Sequence, residues 1–392
     1  MNLAKRVQTL TPSTTLAITA KANEMKKSGI DVVSFGAGEP DYNTPQNIID
    51  AAIQAMNQGQ TKYTPAAGLP ELRKAICEKF QRDNNLTYEP ANICVCNGGK
   101  HALYNIFQVI LDAGDEVIIP IPYWVSYPEQ VKLASGIPVF VEGYEHNQYK
   151  ITPDQLAAAI TDRTKAFILN SPSNPSGAIY SRQELETIAA ICVDKNILVI
   201  SDEIYEKLIY DDAEHISIAS LNEEIFKRTL VVNGVSKPYS MTGWRIGYVA
   251  GNMELIKVIT DLSSHSTSNP TSISQWAALE AMVGTQQPLQ DMVKEFSSRR
   301  DVMIDLLNDI EGISCEMPKG AFYAYFNIEK LLTDEIKTAD EWAKVLLKDV
   351  NVAVIPGSAF GSNSHIRLSY ATSMNNIQEG IRRIKQFIEQ PK

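Results

Sequence analysis

At 392 residues, with 44% hydrophobic and 21% charged positions, the chain has the make-up of a globular protein long enough for two domains. A net charge of −10 argues against a nucleic-acid partner, whose phosphates need clustered basic residues. The absence of an apolar run able to span a bilayer, and five cysteines (Cys77, Cys94, Cys96, Cys192, Cys315) with neither Cys-x-x-Cys nor zinc-like spacing, lead us to expect a cytoplasmic protein with reduced thiols, no metal and no membrane contact.

The chain opens with the Ser/Thr-rich stretch Thr11-Pro12-Ser13-Thr14-Thr15, then a helical pattern over 17–27. Ile93-Cys94-Val95-Cys96 is strand-like, with its two cysteines on one face, and precedes Gly98-Gly99 and a helical pattern over 101–111. Glu116-Val117-Ile118-Ile119 ends at Pro120, and a further run covers 137–141 after an intervening helix. Ala166-Phe167-Ile168-Leu169 leads through a loop to a helix over 181–194, followed by strand-like runs at 197–200, 229–233 and 246–250. Short runs apolar on both faces, alternating with helices, predict an α/β domain with a mostly parallel sheet covered on both sides.

The remainder has a different rhythm. A helical pattern over 288–310 precedes strand-like Gly320-Ala321-Phe322-Tyr323-Ala324-Tyr325-Phe326 and Ile366-Arg367-Leu368-Ser369-Tyr370, and the pattern over 376–389 is helical. We therefore expect a large domain over 46–295 and a smaller α+β domain over 296–392, joined by the N-terminal segment 1–45.

Polar residues gather just after the apolar runs: Asn97-Gly98-Gly99-Lys100, Tyr123-Trp124, the stretch 170–175, Asp202-Glu203-Ile204-Tyr205 and Ser236-Lys237. In open α/β sheets the loops after strand ends converge on ligands, so these five are expected to line one cleft. Gly98-Gly99 suits either a tight strand-to-helix turn or an anion held at a helix N-terminus. Trp124 suits either a core position or a stacking face. Asp202 suits either a cap on a following helix or a carboxylate paired with a cationic ring nitrogen, with Tyr205 three residues on sharing its helical face. Lys237 is a candidate Schiff-base amine, and Arg245, eight residues later, a candidate bidentate phosphate ligand. An aromatic ring with a protonatable nitrogen, a phenolic oxygen, an aldehyde and a phosphate is pyridoxal 5′-phosphate, which matches this inventory group by group.

At this point the sequence resembles the class I/II aminotransferases of pyridoxal-phosphate fold type I, and more narrowly the bacterial-type branch of aspartate and aspartate/prephenate enzymes. The resemblance rests on Ala37-Gly38-Glu39-Pro40-Asp41, Thr61-Lys62-Tyr63, Asn97-Gly98-Gly99-Lys100, Pro122-Tyr123-Trp124-Val125-Ser126-Tyr127-Pro128, the stretch 170–177, Ser201-Asp202-Glu203-Ile204-Tyr205-Glu206, the stretch 236–247 and Arg367-Leu368-Ser369-Tyr370-Ala371. It implies a seven-stranded, mostly parallel sheet. Lys237 is similar to the Schiff-base lysine, Asp202 to the partner of the ring nitrogen, and Tyr205 and Asn174 to the residues on the phenolic oxygen.

By the same resemblance Trp124 stacks on the ring, and the backbone of Gly99 and Lys100 joins Ser236 and Arg245 around the phosphate. Arg367, with Asn174 and the Gly38 backbone, would take the substrate α-carboxylate. Tyr63 would reach the phosphate of a neighbouring subunit, implying a homodimer. Gly234 stands where a serine of the phosphate site is expected, which puts that contact in doubt. Lys100 occupies the position of a lysine that serves the distal carboxylate, and Thr15 that of a threonine associated with prephenate use. The implied activity is ping-pong transamination between L-aspartate and 2-oxoglutarate. Aromatic, alanine or prephenate aminotransferases are alternatives on the same scaffold. A non-catalytic cofactor-binding regulator is a distant one, since such proteins add an N-terminal DNA-binding module whereas the motifs here begin within forty residues.

Overall fold

The structure, a computed structural model, describes residues 3–389. Seven strands form the large sheet: β1 (Ile93–Cys96), β2 (Glu116–Ile121), β3 (Ile137–Glu142), β4 (Thr164–Asn170), β5 (Leu198–Asp202), β6 (Thr229–Gly234) and β7 (Gly247–Ala250). Their order is β1-β7-β6-β5-β4-β2-β3. Six strands run one way, and β7 runs antiparallel to both β1 and β6.

Alternation along the strands serves two cores. Val117 and Ile119 pack with Cys94, Cys96, Ile168 and Val232 on one face, while Ile118 packs with Phe167, Leu169 and Val199 on the other. Both faces are therefore buried, as near-continuous apolar runs require. The five cysteines are free; Cys77 is half-buried and the others buried.

Local signals set the helix starts. Ser181 and Glu184 form a reciprocal capping box before Arg182–Asp194. Ser13 caps α1 (Thr14–Lys27), which begins three residues before the predicted pattern because the Ser13 hydroxyl accepts from Leu16 N–H. Helix α2 (Gly99–Ile110) follows β1 directly, and α3 (Ser126–Leu133) follows β2.

A four-stranded antiparallel sheet forms the smaller layer, in the order Ile355–Pro356, His365–Ser369, Tyr323–Asn327, Ser314–Cys315. The N-terminal segment joins this part of the molecule, with Val33–Ser34 pairing in parallel with Val352–Ala353. The 295/296 position lies inside a continuous helix, α4 (Gln287–Asn308). That helix packs across both parts: Met292 accepts from Ser240 Oγ in the segment after β6 (3.5 Å), while Phe296 touches Tyr42 and Phe322 and Arg299 pairs with Asp41. The last helix is α5 (Met374–Glu389). Among the described residues no helix is long and apolar enough to cross a membrane.

Candidate active site

Because six strands of the large sheet are codirectional, the loops after β1, β2, β4, β5 and β6 emerge at one edge. They surround a cavity of about 340 Å³ lined by Gly99, Lys100, Trp124, Asn174, Asp202, Tyr205, Ser236, Lys237 and Arg245, with Thr15, Gly38 and Arg367 from the N- and C-terminal parts. Every predicted site residue except Tyr63 thus meets in one place. Tyr63 is 90% exposed and lies outside this cavity.

The reversed strand accounts for Arg245. Strand β7 begins where its neighbours end, so the residues just before it arrive at the same edge. Arg245 adopts a left-handed backbone (φ 56°, ψ 50°) and donates to the carbonyls of Thr242 (2.8 Å) and Asn97 (3.2 Å). Its guanidinium lies against Gly98 (φ +88°), where a Cβ would collide with it. Gly247 similarly lets β7 approach the backbone of Gly98 and Gly99. Together these place a planar cation beside the first turn of α2, whose N–H groups lack intrahelical partners. Buried Ser236 lines the same cavity.

Lys237 donates to the carbonyl of Gly38. Loss of hydration pushes its amine down to about 8, with Arg367 and Arg245 acting in the same sense against Glu39 and Asp202. Asp202 is 6% exposed, and burial pushes its carboxyl up to about 6. Its Oδ2 accepts from Tyr127 Oη at 2.7 Å and its Oδ1 from Ile204 N–H at 3.3 Å.

The latter contact corrects one expectation. Residues 204–207 form a turn, not a helix, because the strand-end carboxylate takes the first free N–H. Asp202 and Tyr205 therefore share a turn instead of a helical face. Tyr205 is buried, and its hydroxyl meets that of Tyr323 at 2.9 Å.

Arg367 is 2% exposed, donates to Asn174 Oδ1 (3.0 Å) and the Gly36 carbonyl (3.2 Å), and lies 4.3 Å from the ring centroid of Tyr323. Its Nε has no hydrogen-bond partner among the described residues, an unmet donor on a cavity-lining side chain. Asn174 is itself held through its N–H, which donates to Asn170 Oδ1 at 2.9 Å. At the cavity mouth Lys100 is exposed, with its ammonium 4.9 Å from the Trp124 ring centroid. Partial burial and the nearby Arg245 lower its pKa. The Thr15 hydroxyl is buried on the same cavity without a partner among the described residues.

The sequence reading assigned no role to Tyr127, Asn170 or Tyr323, yet these side chains fix the orientation of Asp202, Asn174 and Arg367. Tyr127 and Asn170 stood inside the quoted motifs; Tyr323 carried no signal beyond strand periodicity.

Pyridoxal 5′-phosphate fits the residues present. A cationic cradle at the start of α2 suits its phosphate, the half-buried Lys237 amine its aldehyde, and the buried Asp202 carboxylate its ring nitrogen. Trp124 lines the same cavity with an aromatic side chain.

Comparison with known proteins agrees. The family model for aminotransferase class I and II matches residues 30–384. An aspartate aminotransferase of Bacillus sp. (strain YM-2) is 60% identical over 388 residues, covering 99% of each chain. The aspartate/prephenate aminotransferase of Cereibacter sphaeroides is 48% identical over 383 residues and 96% of each chain. The crystal structure of the aspartate aminotransferase from Rhizobium meliloti superposes with a TM-score of 0.95 at 43% identity, covering 99% of each chain.

Proposed function

The chain belongs to the class I and II aminotransferases, and from that premise we propose that it transfers the amino group of L-aspartate to 2-oxoglutarate, giving oxaloacetate and L-glutamate in two half-reactions at one site. The charge of the cavity carries this reading. Lys100, Lys237, Arg245 and Arg367 line it against a single carboxylate, Asp202. One cation meets the cofactor aldehyde, and three remain for a phosphate and two carboxylates, the charges of the cofactor and a dicarboxylic amino acid.

Each residue then has a task. Arg245, Ser236 and the first N–H groups of α2 would hold the phosphate. Asp202 would pair with the ring nitrogen, Tyr205 and Asn174 with the phenolic oxygen, and Trp124 would stack on the ring. When bound, the cofactor supplies the electron sink that lets the substrate α-hydrogen leave as a proton. Arg367, supported by Asn174 and the backbone near Gly38, orients the α-carboxylate so that this hydrogen faces Lys237. Once displaced from the aldehyde by the substrate amine, the Lys237 amine would be free to take that proton and hand it back. Lys100 meets the distal carboxylate at the cavity mouth.

A donor half-reaction panel of L-aspartate, L-glutamate, L-alanine and L-phenylalanine tests the reading, with aspartate and glutamate expected fastest. Lys237→Ala is expected to abolish both turnover and the covalently bound cofactor absorbance; normal transamination by that variant would sink the mechanism. One observation favours prephenate as an additional acceptor: the unpartnered Thr15 hydroxyl at the cavity. Under that reading Thr15→Val impairs amino transfer to prephenate more than to 2-oxoglutarate, and equal effects would remove it.

The remaining parts of the proposal are architectural. We read the protein as a cytoplasmic homodimer in which Tyr63, exposed on one chain, reaches the phosphate of the other. Tyr63→Phe is then expected to weaken cofactor binding despite its exposure. Residues 1–45 and 296–392 are assigned to the smaller domain and 46–295 to the large one.

A further inference from the structure

We propose that Tyr127 is a positioning residue that holds Asp202 ionised and aimed into the cavity, an inference resting on the reading of Asp202 as the ring-nitrogen partner. Tyr127 sits in the first turn of α3, is 1% exposed, and donates to Asp202 Oδ2 at 2.7 Å. No other hydrogen bond from a side chain reaches this carboxylate among the described residues; its second contact is the Ile204 N–H on Oδ1. An ionised carboxylate offers about four lone-pair positions, so these two contacts leave acceptor capacity on the cavity side.

The electrical setting explains why a donor matters here. Burial opposes the charged form, and the neighbouring Glu203 carboxylate opposes it further, while Lys237 favours it. Tyr205 faces the same group and adds no positive charge. Burial pushes the carboxyl up to about 6, so losing one charge-assisted hydrogen bond would shift it toward the protonated form near pH 7. A protonated Asp202 favours a neutral ring nitrogen and weakens the electron sink. Tyr127 itself stays a donor, since burial and the Asp202 charge raise its phenol far above its ordinary range.

The same turn links this contact to the ring-stacking face. Tyr127 N–H donates to the Trp124 carbonyl at 3.0 Å, and the two rings meet edge to face with centroids 5.3 Å apart. One turn of chain after β2 thereby sets both the surface under the ring and the support behind Asp202.

The test compares wild type, Tyr127→Phe and a control, Tyr149→Phe, whose hydroxyl is buried without a partner away from this cavity. In full-length apoprotein carrying 13C-labelled aspartate, the Asp202 carboxyl is expected to titrate about one to two pH units higher in Tyr127→Phe than in wild type. With 15N-labelled pyridoxal 5′-phosphate bound, the ring-nitrogen resonance of Tyr127→Phe is expected to move toward the unprotonated position, and Tyr149→Phe to match wild type in both measurements. An unchanged Asp202 titration and ring resonance in folded Tyr127→Phe would overturn the proposal and leave Tyr127 as packing. An unprotonated ring in wild type would instead overturn the assignment of Asp202, while the apoprotein titration would still decide whether Tyr127 holds its charge.

Discussion

Lys100→Met separates substrate recognition from chemistry. Methionine keeps an unbranched apolar stem that reaches as far as the lysine Cε and removes the ammonium. The ammonium makes no hydrogen bond or ion pair among the described residues; its recorded contact is the Trp124 ring at 4.9 Å. The substitution therefore breaks no protein ion pair, so its effect on folding should be small. A fully desolvated charge-assisted contact contributes about 1.5–3 kcal/mol. Lys100 is exposed at the cavity mouth, so water screens the pair, and about 1–2 kcal/mol is the better figure. That corresponds to a roughly five- to thirtyfold loss in kcat/KM for aspartate.

The donor half-reaction should be followed alone by the change in cofactor absorbance, because 2-oxoglutarate also carries a distal carboxylate. L-alanine, which lacks that group, should react at nearly the wild-type rate. Burial and Arg245 lower the Lys100 pKa, so the preference of wild type for aspartate over alanine should fade as pH rises through that lowered value. Equal losses for both donors would refute the assignment of Lys100 to the distal carboxylate.

Arg367→Ala is expected to slow every amino donor, aspartate and alanine alike, by about a hundredfold or more, since it removes a bidentate carboxylate partner; a defect confined to aspartate would contradict its role. In apoprotein the rate of covalent capture of pyridoxal 5′-phosphate should fall about tenfold per pH unit below about 8, where Lys237 is protonated, and level off above it. The same depressed pKa means that the unfolded chain binds the extra proton between about 8 and the usual lysine value, so this residue's contribution to apoprotein stability improves as pH rises through that window. Lys79→Met should cost about 3–5 kcal/mol in urea unfolding at pH 7, because it strands the buried Glu206 carboxylate with which Lys79 pairs. Burial disfavours the Glu206 charge, but Lys79, His215 and Lys207 together hold its pKa near 2, so the pair's stabilisation should disappear as pH falls from 4.5 toward 2.

What the sequence made legible, and what it concealed, follow from one distinction. Polar residues after apolar runs mark strand ends, and strand ends in a parallel sheet share an edge, so the convergence of Gly99, Trp124, Asn174, Asp202 and Lys237 was readable without coordinates, whereas Thr15, Gly38 and Arg367 came only from the family resemblance. Partnerships between side chains were not. Tyr127 and Asp202 are 75 residues apart, and nothing in the local pattern of either names the other. Spacing of three also fails to separate a helix from a turn, which is why Asp202 and Tyr205 were expected on a helical face. Helix α4 runs unbroken through the position expected for a domain boundary, with Met292 meeting Ser240 before it and Phe296 meeting Tyr42 and Phe322 after it.

Strand direction was equally hidden, and it decides where Arg245 lies. A strand buried on both faces reads the same in either orientation, so the run ending at Ala250 gave no sign that β7 is reversed. Had β7 run parallel to its neighbours, residues preceding Gly247 would have emerged at the opposite edge of the sheet, a full strand length from Gly98. The antiparallel connection instead keeps the chain at the edge where Lys237 sits, so Arg245 follows there within eight residues. One reversed strand therefore lets a single short segment deliver both the Lys237 amine and the Arg245 guanidinium to the same cavity.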